Sequence, residues 1–195
     1  SGDWSSDVCS SDLDLKRDRA VFRLAADKLK EAELEYREQR AEQIIRGSTR
    51  KAVIGALAAV SPGTDIIIQG YIGSAMTREL CTLYGAAPRD IDIEEFLNLS
   101  QSRAGKAVPL TLAVAGNGLK AFPGAGTVAG GLVHAVAYGL IFDALGRSLV
   151  ATLKAHGQLE PETAAKEFEE GISERIEAGV RQVARMALDQ QKDKA

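Results

Sequence analysis

Histidine and cysteine are scarce in this sequence: two of each occur in 195 residues, beside one tryptophan and five prolines. His134 and His156 lie far apart and the cysteines form no spaced pair, so neither a metal ligand set nor a Cys-His nucleophile is supported. The phosphate-cradling pattern G-x-x-x-x-G-K-[ST] is missing, which removes the loop a nucleotide-hydrolysing chain needs. No run alternates apolar and polar residues as a half-buried strand would, which points to an all-α protein. A basic surplus is absent too, with 24 Lys and Arg against 27 Asp and Glu and little aromatic content, so a nucleic-acid partner is not expected.

Residues 3–13, DWSSDVCSSDL, have no period that a helix or strand could use. One natural codon choice for them resembles a common sequencing-library adapter, and residues 1–13 are therefore set aside as an artefact expected to be disordered. Without Asp3, Asp7 and Asp12 the acids fall to 24, equal to the bases. Cys81 is then the sole cysteine, which allows no intrachain disulfide and fits a reducing compartment and a buried apolar role. The same reasoning predicts that the reading frame continues upstream of Asp14.

What is present begins with a charged helical arm, 14–49. Phe22, Leu29 and Tyr36 are seven apart with Ala25 and Ala32 between them, the narrow stripe of a long helix that either packs on its own domain or forms a coiled coil. From 50 to 156 the chain turns apolar and glycine-rich. Two stretches align without a gap at an offset of 61 residues: Pro62-Gly63 falls on Pro123-Gly124, Gly70 on Gly131 and Gly85 on Gly146. The spacing predicts a duplicated helix, Pro-Gly turn, helix unit in which small residues let helices approach closely, packed as a helical bundle. Between the copies, Asp92 and Glu95 read as a capping box opening a short helix, and GNGLK, ending at Lys120, reads as a helix end. In 157–195, Pro161 starts an amphipathic helix with Phe168, Ile172, Ile176, Val180 and Val183 on its apolar face.

SPGTDIIIQGYIGSAMTRELCTLYG and GNGLKAFPGAGTVAGGLVHAVAYGLIFDALG resemble the two halves of the bacterial domain-of-unknown-function family numbered 697, which accompanies small GTPases of the Era and TrmE type. The markers are Pro62-Gly63, Leu83-Tyr84-Gly85 and Lys120 to Gly131, and the resemblance covers roughly 45–155. It implies a non-catalytic module of a GTPase-associated protein, with a GTPase domain as partner in cis upstream or in trans, in the bacterial cytoplasm at the inner-membrane surface. It carries no catalytic residue, metal or cofactor, and any GTPase activity would reside upstream. Asp143 to Gly146 also matches the GTPase switch pattern D-x-x-G, but with no strand or phosphate loop before it the match is a coincidence.

Asp65, His134 and Asp143 are the polar residues set within or beside the apolar repeats. Asp65 is placed to cap the helix after Pro62-Gly63, Asp143 to pair with Arg147 one turn on, and His134 to be a satisfied core residue. Ala121 to Phe142 carries no formal charge over 22 residues, and Gly126 and Gly130 form a small-xxx-small pair, which suits close packing in a bilayer or in a soluble bundle. The alternative reading is thus a stand-alone membrane protein whose glycine-packed helices form homo-oligomers.

Overall fold

Ala, Leu, Glu, Lys and Arg dominate the first quarter of the chain, and these straight or small side chains lose little freedom in a helix. They form α1, Trp4–Ala58, followed by α2 (Thr64–Leu83), α3 (Asp90–Lys120), α4 (Gly130–His156) and α5 (Pro161–Lys192). The computed structural model describes residues 4–58, 64–120 and 130–192, and among these there is no strand, so the protein is all-α. Helix begins at Trp4, inside the segment where disorder is expected, because extending a nucleated helix costs far less than starting one.

The chain divides into two compact units, Ser1–Gln39 and Arg40–Ala195. In the first, the helix carries exposed pairs one turn apart, Arg37 with Glu33 at 2.6 Å and Lys28 with Glu31 at 3.0 Å. The expected boundary at 49–50 moves to residue 40, since Ala41, Ile44, Ile45, Ser48 and Thr49 are all buried. Charge composition hid this: Arg46 and Arg50 share those turns but stand on the exposed side of the helix.

The second unit is a bundle around α4. From Leu132 to Leu153 this helix is buried on nearly every side, as its all-round apolar composition requires, and it packs against α2, α3 and α5. Residues 157–160 connect α4 to α5, with Gly157 at a φ of 71°. Glu160 takes the first helical hydrogen bond of α5 on its carbonyl from the amide of Ala164 at 2.9 Å, which leaves Pro161 at the first helical position as predicted. Of the expected α5 face, Phe168, Ile172, Ile176 and Val183 are buried and Val180 half-buried.

α2 ends as a glycine-capped helix should. The amide of Ala86 donates to the carbonyl of Cys81 at 2.8 Å and that of Gly85 to Thr82 at 3.1 Å, with Gly85 at a φ of 76°. Gly85→Ala is expected to lower stability by about 1 kcal/mol, because an L side chain strains the left-handed backbone. Urea unfolding measures it, and an unchanged midpoint would refute the capping role.

Two expectations fail in α3. Asp92 is not the N-cap: its carboxylate accepts the Arg89 amide at 3.0 Å, so Arg89 holds the cap position and Asp92 closes the box from the third helical position. Nor is the helix short. It runs from Asp90 to Lys120 through Pro109, with Ile93, Phe96, Ser100 and Ala104 buried before the proline and Thr111, Ala115 and Leu119 after it. Pro109 removes one helical hydrogen bond, a cost of order 3 kcal/mol, which burial of the apolar residues on either side of it offsets.

Candidate functional site

Two features of the bundle carry polar chemistry. The first is the seam between α1 and α4. A Cβ added to Gly139 would meet Val53 Cγ2 at 2.7 Å, and one added to Gly146 would meet Ile45 Cγ1 at 2.7 Å. Along the same seam Glu42 meets Arg147, so α1 ascends as α4 descends and the two helices are antiparallel. Arg147 Nε donates to Asp143 Oδ2 at 2.8 Å, the pairing expected one turn apart, and a second donor reaches Asp143 Oδ1 at 3.2 Å. The guanidinium also donates to Glu42 Oε1 at 3.1 Å and lies in ion-pair contact with Glu42 Oε2 at 3.1 Å.

Asp143 is buried, at 3% exposure, so its charge depends on this bidentate partner. Burial pushes the Glu42 carboxyl up, but its bonds to Arg46 and Arg147 outweigh that and hold it below the usual carboxylate range. The bond to Asp143 raises Arg147 against the opposing effect of burial. These groups interlock α1 with α4, and so basic a guanidinium does not give up a proton.

The second feature is a groove of about 770 Å³ bordered by α2, α3, α4 and α5. Its walls are mainly apolar, with Ile93 and Leu97 from α3, Ile141 and Leu145 from α4 and Phe168 from α5; Gly73 on α2 opens it by lacking a side chain. At the rim, Arg78 pairs with Asp90 at 2.7 Å. Inside, the Ser100 hydroxyl is buried without a hydrogen-bond partner. The Thr49 hydroxyl, on α1 away from the groove, is buried in the same way. Burial pushes the Cys81 thiol up to about 11, so it stays a protonated apolar group at neutral pH.

The sequence-predicted residues distribute as follows. Pro62, Gly63, Pro123, Gly124 and Gly126 lie outside the described residues, as do the side chain of Asp65, which belongs to the first turn of α2, and the surroundings of Gly130 at the start of α4. Lys120 is exposed at the end of α3, where a cation favours the helix C-terminus. Gly70 and Gly131, expected to admit a close neighbour, face open space, with nothing within 4 Å of an added Cβ. His134 is exposed rather than a core residue, because its side of α4 is not turned to the bundle. Gly85 and Gly146 align in the repeat but do different work: one ends a helix, the other sits mid-helix against Ile45 and Met76.

Sequence reasoning missed Gly73, Gly139 and Ser100. The seven-residue spacing of Gly139 and Gly146, with Asp143 between them, was the available signal for the α1 seam. No three His, Cys, Asp or Glu side chains come together as a metal site among the described residues.

Fold and site together define an all-α bundle with an open, mainly apolar groove. No family model matches the sequence, and neither curated proteins nor solved structures provide a match.

Proposed function

We propose that this chain is a non-catalytic helical module that binds a partner through the α2–α3–α4 groove, and that the partner is a GTPase domain of the Era or TrmE type. The groove carries the binding reading: an open, mainly apolar cleft of about 770 Å³ between packed helices suits a guest. The identity of the partner rests on the resemblance of the glycine-rich repeats to the family numbered 697. In this reading the nucleotide state of the GTPase biases the charged arm, and the bundle passes that bias to the membrane surface or a further partner.

The test is titration of the whole chain with such a GTPase domain loaded with GDP or a non-hydrolysable GTP analogue. Binding is expected, with affinity different in the two nucleotide states. Gly73→Leu fills the groove beside Leu97, and Asn98→Trp obstructs its exposed rim without touching the core; each is expected to weaken binding at least about tenfold. Equal affinity of both variants, with folding intact, would discard the groove, and absence of binding in either nucleotide state would discard the GTPase. Translating the gene upstream of the Asp14 codon distinguishes a partner in cis from one in trans.

The second reading, a glycine-packed membrane protein, is favoured by α4, whose span Gly131–His156 has a mean hydropathy of 1.4 and suffices in length to cross a bilayer. In the bundle 72% of that apolar stretch is already buried against protein. Resistance of the native protein to alkaline carbonate extraction would support this reading; release into the supernatant would reject it.

A further inference from the structure

Large apolar side chains in water are concentrated on the first unit. Leu15, Phe22, Leu29 and Tyr36 are 57%, 75%, 72% and 63% exposed, in a helix whose other surface is mostly charged but also carries the exposed Leu24 and Leu34. Their separation is seven residues throughout, the repeat of a coiled-coil seam rather than the 3.6-residue drift of a helix lying on a globular core. With these four as the first seam position, the second falls on Asp18, Ala25, Ala32 and Gln39. Alanine there permits close approach at the centre, and the polar residues bound the seam at its ends.

The positions flanking the seam identify what covers it. In a parallel pair of identical helices, each residue just before a seam position faces the residue five further along the partner. Lys28 then faces Glu33 of the other copy, Glu35 faces Arg40, and Val21 faces Ala26. Two of these three flanking pairings join opposite charges and the third is apolar, while at the N-terminal end of the seam Asp18 faces Asp18 of the other copy. Pairing the same helices antiparallel, with Phe22 and Leu29 over Ala32 and Ala25 of the other copy, leaves Leu15 over Gln39 and Tyr36 over Asp18. It also sets Lys28 against Lys28 and, among flanking residues 19–35, joins opposite charges only at Arg19 with Glu33. The geometry points to a second copy of this chain as the occupant: α1 forms a parallel, in-register, two-stranded coiled coil over residues 15–40. This is independent of the groove and of the GTPase reading.

Sedimentation equilibrium of the full chain tests it first. The expected mass is twice 20.7 kDa, and a monomer at about 100 μM would overturn the proposal. Lys28→Glu and Glu33→Lys each place like charges across the interface and are expected to weaken the dimer about tenfold, while the double reversal restores it. Both residues also belong to exposed pairs within their own helix, with Glu31 and Arg37. Recovery in the double variant separates the two effects, because residues five apart on one helix do not meet; absence of recovery would overturn the pairing. Direction is read by oxidative crosslinking in a Cys9→Ser background. Leu29→Cys is expected to crosslink to itself, and crosslinking only when it is mixed with Ala25→Cys would show an antiparallel pair and refute the parallel one.

Discussion

Gly139→Leu is expected to lower the unfolding free energy by about 3 kcal/mol, the upper end of the usual cost of overpacking. The first carbon added already falls 2.5 Å from Val183 Cγ1 on α5 and 2.7 Å from Val53 Cγ2 on α1. Both neighbours are β-branched and stiff about their first side-chain torsion, and both are buried, so neither can swing away without moving its helix. The remaining carbons of leucine would have to separate α4 from α1 or α5. The control is Gly131→Leu on the same helix, where nothing lies within 4 Å of the new Cβ and leucine gains helix propensity of up to about 1 kcal/mol over glycine. Urea unfolding of both variants separates packing from propensity. Equal effects at the two positions would mean that Gly139 is not a contact between helices.

Arg147→Met is expected to cost about 2–4 kcal/mol. The guanidinium holds two carboxylates from two helices, and Asp143 is only 3% exposed, so removal strands a buried charge. The figure is set below the 3–5 kcal/mol typical of a fully buried pair because the Arg147 side chain is 37% exposed and water screens part of the loss. Adding Asp143→Asn to Arg147→Met removes the stranded charge at nearly constant shape, and the double variant is expected to be more stable than Arg147→Met alone. If instead the two losses add, the residues do not act as a pair.

The pH dependence of the wild-type protein carries a matching sign. Glu42 titrates lower in the folded protein than its unfolded-chain value of 4.5, so it contributes stability above that value and loses it as pH falls through the lower folded value. Arg147→Met weakens this contribution, and the gap in thermal midpoint between wild type and variant should narrow from pH 7 to pH 3. A gap that widened on acidification would show that Glu42 is not stabilised by Arg147.

Local patterns were read correctly where one helix face decides the outcome. The α5 stripe from Phe168 to Val183 is a property of 3.6-residue periodicity, which a single helix displays before it packs. The Asp143–Arg147 pair is likewise local, since one helical turn brings the two together. α3 was expected to be short, and only burial on both sides of Pro109, from Ile93 to Ala104 and from Thr111 to Leu119, shows packing that carries the helix on to Lys120. The arm boundary was misplaced for a related reason: Ile44, Ile45 and Thr49 are few among charged neighbours, yet α4 supplies the surface that buries them.

The glycines mark the division most sharply. Repeat alignment paired Gly70 with Gly131 and Gly85 with Gly146, but an alignment compares letters and not the atoms opposite them. Whether a glycine is needed for contact depends on the atoms opposite it, and those come from far along the chain: Val53 and Val183 at Gly139, Leu97 at Gly73, Ile45 at Gly146. Helical class, the α5 face and the chain reversal at Gly85 are written in short-range order and hold for any packing. The α1–α4 seam, the interlock of Glu42 with Arg147 and the groove with its orphan Ser100 hydroxyl exist only once five helices are assembled, since each needs surfaces from at least two of them.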